Sequence, residues 1–231
     1  MILGIMQPYF FPYIGYWQLI NCVNKFVLYD DVNYIKGGWI NRNRIRINDD
    51  IRFFNVPLVG ASPNKKINEI QINPNPVLCR KNITTLELAY KKAPYYNDAF
   101  PIIYRAVKNN QQMLIDYLYY SICAVCEYLD IKTEIVLSSK LNKNNELKGQ
   151  DKVIDICKRL SADTYINAAG GQSLYSTDAF KEKGIDLKFI KTEFIEYNYE
   201  KFIPGLSIID MMMYCSKDEL KKHLNSHKII N

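Results

Sequence analysis

Histidine is nearly missing: the 231 residues hold two, His223 and His227, both in the C-terminal tail. They stand at helical spacing with no acidic or cysteine partner nearby, so no metal site is expected there. Ser-His-Asp, HExxH and Cys-His arrangements are all absent, which excludes the familiar hydrolase and zinc-protease chemistries. No apolar run approaches the roughly 20 residues that a membrane span needs. The opening apolar segment Met1–Met6 stops at Gln7-Pro8 and has no basic leader. It is expected to be a buried first strand rather than a targeting segment, and the expected compartment is the cytoplasm. Internal repeats, long linkers and low-complexity tracts are also lacking.

Six cysteines are present but dispersed, mostly in apolar stretches, so they are expected to be reduced thiols acting as small hydrophobes. Cys123 and Cys126 match a CxxC spacing, yet they lie inside a helix-like run and no second Cys/His pair faces them. The chain is 48% apolar with a formal charge of +6. That composition can bury a core and favours anionic partners in general. The basic residues form no single long stripe, so nucleic acid is not the expected partner.

Ile2–Met6 is expected to be a strand, Gln7–Pro12 an aromatic turn, Ile14–Asn21 a helix and Lys25–Tyr29 a second strand. This β–loop–α–β order feeds a parallel sheet, with its loops leaving along one edge. Arg42–Ile47 and Ile51–Pro57 alternate like a hairpin turning at residues 48–50, and Lys66–Ile72 suggests another short strand. Helical periodicity covers 76–92, 99–108 and 112–129. The final third returns to α/β order: strand 133–137, helix 151–161, strand 164–167, helix 176–183, strand 187–192 and a last helix near 217–226. One α/β domain, 1–231, with a mainly parallel sheet and a helical insertion at about 76–130, is the expected architecture.

The densest segment, Gln7 to Tyr16, frames aromatics with two prolines directly after the first strand. Gln7, Tyr9 and Tyr16 there are candidates to bind a substrate, the rings stacking on a base or sugar. Asp30 and Asp31 end the second strand, where neighbours point to opposite faces, so one of them is expected to aim into a cleft. Lys36, Arg42 and Arg44 can grip phosphate or carboxylate, with Trp39 as a stacking plate and Asn43 on the opposite face of the strand. Arg44 paired to an aspartate is the bland alternative. Asn167, Gly170, Gly171 and Tyr175 follow a strand and precede a helix, a turn whose amides can cradle an anion. Ser207, with Asp210 three residues on, fits a helix capping box.

Five stretches together resemble the WbqC-like protein family: QPYFFPYIGYWQLI from Gln7, FVLYDDVNYIKGGWINRNRI from Phe26, KAPYY from Lys92, YINAAGGQSLY from Tyr165 and LSIID from Leu206. They cover nearly the whole chain in order. The resemblance implies a bacterial protein of surface-polysaccharide synthesis (O-antigen, lipopolysaccharide). It also implies an aminoacyl transfer, glycine being the specific suggestion, onto a nucleotide-linked amino sugar. A second likeness, of the first β–α–β unit, is to nucleotidyltransferase folds of the HIGH type, which make acyl-adenylates from ATP. Here Gly15-Tyr16 stands where Gly-His would be, and Leu137-Ser-Ser-Lys140 is the stand-in for a KMSKS loop.

The expected activity is an ATP-dependent amide-forming transferase. Asp30, Asp31, Lys36 and Arg42 would be its catalytic groups, either aspartate holding Mg²⁺ or the incoming ammonium. A non-catalytic nucleotide-sugar binding module of a glycan pathway is the alternative.

Overall fold

The computed structural model describes residues 1–48, 50–197 and 202–231; Asp49, in the expected hairpin turn, lies outside them. Strand β1 (Ile2–Met6) leads through a loop to helix α1 (Ile14–Asn21) and strand β2 (Lys25–Leu28). Both strands are apolar on both faces, as strands covered on two sides must be. Leu3, Ile5 and Val27 enter one core, while Phe26 and Leu28 enter a larger one on the other face.

Strands β3 (Arg42–Ile47) and β4 (Asp50–Asn55) form the expected hairpin, antiparallel with Asn43 opposite Phe54. β5 (Leu58–Val59) pairs with β6 (Gln71–Ile72). The strand expected over 66–72 shrinks to its last two residues. Glu69 accepts the Lys66 amide at 2.8 Å and closes a 3₁₀ turn over Ile67–Glu69. Helices α2 (Pro76–Tyr90), α3 (Tyr96–Val107) and α4 (Leu114–Tyr128) follow. Asn75 caps α2 by accepting the Val77 amide at 3.0 Å, with Pro76 in the first helical position.

The chain then returns to the sheet through β7 (Glu134–Leu137), α5 (Gly149–Arg159), β8 (Thr164–Ala168), α6 (Thr177–Lys181) and β9 (Asp186–Thr192). It closes with α7 (Ile208–Tyr214), α8 (Lys217–Asn225) and β10 (His227–Ile230). The main sheet has six strands in the order β10-β9-β8-β1-β2-β7, parallel except for β10 against β9. Numbered along the chain within this sheet, the order is 3-2-1-4-5-6, a doubly wound arrangement whose order reverses between β1 and β8. Everything from the hairpin through α4 is inserted between β2 and β7.

β10 was not foreseen from the sequence. Ser207 does cap α7, its Oγ accepting the Ile209 amide at 3.3 Å, but Asp210 does not complete a capping box. Asp210 is buried instead, accepting from the hydroxyls of Tyr90 (3.0 Å) and Tyr197 (2.5 Å), and burial raises its pKa. No helix among the described residues is long and apolar enough to cross a membrane.

Candidate active site

The loop leaving β1 is held by hydrogen bonds to the carbonyls of Gln7, Phe10, Phe11 and Pro12. Tyr16 donates its hydroxyl to Gln7 O at 3.0 Å, and the Trp17 indole donates to Pro12 O at 2.9 Å. The Asn43 side-chain amide donates to both Phe10 O (3.1 Å) and Phe11 O (3.0 Å), and Ser207 Oγ donates to Phe11 O at 2.7 Å. These bonds hold Phe11 at φ +41°, a left-handed conformation that a bulky residue keeps only where its surroundings enforce it. The Phe10 amide donates to Trp39 O at 3.2 Å, which joins this loop to the one after β2.

The facing wall comes from the end of β8. Asn167 Oδ1 accepts the Ala168 amide at 2.7 Å and opens a 3₁₀ turn over Ala169–Leu174. A Cβ on Gly171 would stand 3.1 Å from Asn167 Nδ2, so the glycine lets turn and side chain close up. Gln150, near the start of α5, accepts the Ser176 amide at 3.0 Å and ties that helix to the same wall.

Between the walls lies a cleft of about 630 Å³, at the point where the strand order reverses. Gln7, Tyr9, Tyr13, Gly15 and Tyr16 line it from the β1 side, and Asn167, Gly170, Gly171 and Tyr175 from the β8 side. Tyr29, Val32 and Ile35 from the end of β2 and beyond, and Gly149, Gln150 and Val153 from α5, add to the lining. No described lining residue carries a formal charge. Helices α1 and α5 both begin in this wall without a side-chain cap, so their first amides and dipoles supply the positive end. Burial raises the pKa of Tyr9, Tyr16, Tyr29 and Tyr175; Tyr13 adds to the shift at Tyr9 and Asp31 to that at Tyr29. The tyrosines are therefore neutral hydrogen-bonding groups at neutral pH.

A side chamber of about 220 Å³ shares Tyr9 and Tyr13 with the cleft and adds Trp39, Asn43, Arg44 and Gly205. Arg44 lies over the Trp39 ring at 5.5 Å and donates from Nη2 to Gly205 O at 3.1 Å, rather than pairing with Asp30 or Asp31. Tyr9 on the loop after β1, Trp39 on the loop after β2 and Arg44 on β3 thus share one chamber.

Four expected residues line neither cavity. Asp30 is fully buried, its carboxylate accepting the Ser139 amide (2.8 Å) and hydroxyl (2.5 Å). Asp31 is also buried and gives one oxygen, Oδ2, to both Lys152 (2.8 Å) and Lys143 (2.9 Å). Burial alone would raise its pKa, but the two ammonium groups outweigh that and hold it at about 2. The expectation that one aspartate faces the cleft is corrected: both pin the segment after β7 to the end of β2. Arg42 lies over the Phe53 ring at 4.3 Å and donates to Gly38 O at 3.1 Å and to Gly37 O. Lys36 is exposed on the neighbouring turn. Two carboxylates so engaged do not fit a Mg²⁺ site, and no group of three metal-ligating side chains occurs among the described residues.

Tyr13, Tyr29 and Gln150 were not singled out from the sequence. Tyr13 lies inside the Gln7–Tyr16 segment and Tyr29 directly precedes Asp30, but neither was named as a ligand-binding residue. Gln150 follows a polar loop and carried no pattern of its own.

The profile of the WbqC-like protein family matches residues 7–222. Among curated proteins, the uncharacterized protein Rv1507c of Mycobacterium tuberculosis is 26% identical over 217 residues, covering 90% of this chain and 91% of that protein. No solved structure matches.

Proposed function

The chain belongs to the WbqC-like protein family, and from that membership and the cleft between β1 and β8 we propose a transferase of bacterial surface-polysaccharide synthesis. It would join a small amino acid such as glycine to a nucleotide-linked amino sugar through an amide bond, with ATP activating the acid. The observation that carries this reading is the cleft's place at the reversal of a 3-2-1-4-5-6 sheet, where open α/β folds bind nucleotides. Its volume lies within the range of about 300–1,000 Å³ common to small-molecule sites.

In this reading the amides that open α1 and α5 receive phosphate oxygens, and the rings of Tyr9, Tyr29 and Tyr175 flank base or sugar. Gln7 and Asn167 bond hydroxyls. The side chamber takes the amino acid, with Arg44 against its carboxylate or phosphate oxygen. The carboxylate attacks the α-phosphorus of ATP and expels diphosphate. The sugar amine then attacks the acyl carbon, expels AMP and loses a proton to solvent. The chain's contribution is to place the two reactants and to donate hydrogen bonds to the developing oxyanion from neutral tyrosines. The likeness of the first β–α–β unit to adenylate-forming nucleotidyltransferases supports the ATP step. Lys36 and Arg42 have no direct part in it, and the aspartates leave no step routed through a protein-held metal.

Incubation with ATP, a panel of amino acids and nucleotide-linked amino sugars is expected to release AMP and diphosphate only when donor and acceptor match. No release with any combination overturns the reading. A nucleotide-sugar binding module without turnover is the second reading, favoured by the lack of an ionised side chain in the described cleft lining. It predicts stabilisation by nucleotide-sugar with no product.

A further inference from the structure

A second cavity, of about 660 Å³, opens on the inserted helices and shares no described lining residue with the cleft or its side chamber. It exists because α2 buries only Leu86 and Tyr90, both in its C-terminal half. In the N-terminal half Cys79 and Ile83 are only partly buried and stand in the cavity wall with Val107 and Tyr117, Cys79 Sγ lying 3.5 Å from Val107 O.

The rim is built largely from carboxamides, several of them fixed in orientation. Asn73 and Asn75 use their Oδ1 atoms to accept the amides of Asn75 and Val77, both at 3.0 Å, which leaves each Nδ2 as a donor. Asn82 does the reverse, donating to Asn55 O at 2.9 Å and keeping its oxygen as an acceptor. Two exposed cations, Arg80 and Lys108, complete the rim, and the described lining includes no acidic residue. The Tyr104 ring already carries the Lys108 ammonium at 5.2 Å, and Tyr117 is buried. No open ring face is therefore offered to a nucleobase.

We propose that this cavity is a second ligand site, for a sugar bearing an anionic substituent, carboxylate or phosphate. The apolar wall meets the C–H face of the sugar ring. The carboxamides meet hydroxyls, which donate and accept as they do. Arg80 and Lys108 take the anion. The assignment is independent of the chemistry proposed for the cleft.

The test is calorimetric titration of the whole protein with glucuronate and with glucose 6-phosphate, against glucose and inorganic phosphate. At least one acidic sugar should bind, about tenfold or more tighter than either control. Arg80→Ala combined with Lys108→Ala should weaken it by about tenfold or more at unchanged melting temperature. In the unmodified protein, the side-chain amide NMR signals of Gln111 and Gln112 should move on binding. The proposal is overturned if neither acidic sugar binds, if phosphate alone binds as well, if the double variant binds like the parent, or if only cleft signals move.

Discussion

The side-chain amide of Asn43 donates to the carbonyl of Phe11 at 3.0 Å, joining the hairpin to the loop after β1 across 32 residues of sequence. Phe11 sits at φ +41°, and the same amide also holds Phe10 O. Removing it leaves a strained, buried loop short of a donor. Asn43→Ala should cost about 1–3 kcal/mol in urea unfolding, the penalty of unsatisfied buried polar groups. It should also weaken nucleotide-sugar binding, because Tyr9 and Tyr13 ride on that loop. An unchanged unfolding midpoint would contradict the role given to Asn43.

Gly15 begins the part of α1 that faces the cleft. A Cβ there would overlap Thr192 Oγ1 and stand 2.5 Å from the Tyr13 ring. Gly15→Ala should therefore destabilise by about 1–3 kcal/mol, as overpacking does. Adding Thr192→Ala should restore only part of this, since the Tyr13 overlap remains. Differential scanning calorimetry of the parent and the two variants checks the order.

Asp31 gives the fold an acid-sensitive joint. Its folded pKa, about 2, lies below the ordinary 3.8, so the unfolded chain takes up its proton first as pH falls. The stabilisation is complete above the unfolded value and drains away as pH drops from about 4 towards 2. Asp31→Asn leaves Lys143 and Lys152 without their shared carboxylate and should cost about 3–5 kcal/mol at neutral pH. Its stability should vary less with pH across that acid window than the parent's, as measured by chemical denaturation at stepped pH.

The cleft tyrosines bear on ligand binding as a function of pH. Burial raises Tyr9, Tyr29 and Tyr175 above the ordinary value of 10.0, so none of them ionises between about pH 7 and 9. Nucleotide-sugar affinity should be flat across that range in titration calorimetry. A break near neutrality would mean that an ionising group outside this set governs binding.

The first β–α–β unit was legible in the sequence because its strands are apolar runs and its loop is marked by prolines and aromatics. That pattern marked Gln7, Tyr9 and Tyr16, while a glycine turn after a later strand separately marked Asn167, Gly170 and Gly171; that the two segments form facing walls of one cleft came only from the structure. The aspartates were misread because their partners lie far along the chain: Ser139 and Lys152 stand 109 and 121 residues away from Asp30 and Asp31. A pair of carboxylates at a strand end looks the same whether it faces ligand or lysine. β10 was hidden for another reason. His227-Lys-Ile-Ile230 is short and half polar, and only its pairing with β9 makes it a strand. The extent of α7 was equally obscure, since residues 208–213 are all buried and leave no periodic face to detect.

The most direct measurement is a crystal structure of the protein with a nucleotide-linked amino sugar. The ligand is predicted between Gln7 and Asn167, with its phosphates at the first amides of α1 and α5 and its rings beside Tyr9 and Tyr175. A ligand bound only elsewhere, or none at saturating concentration, would contradict the assignment of this cleft.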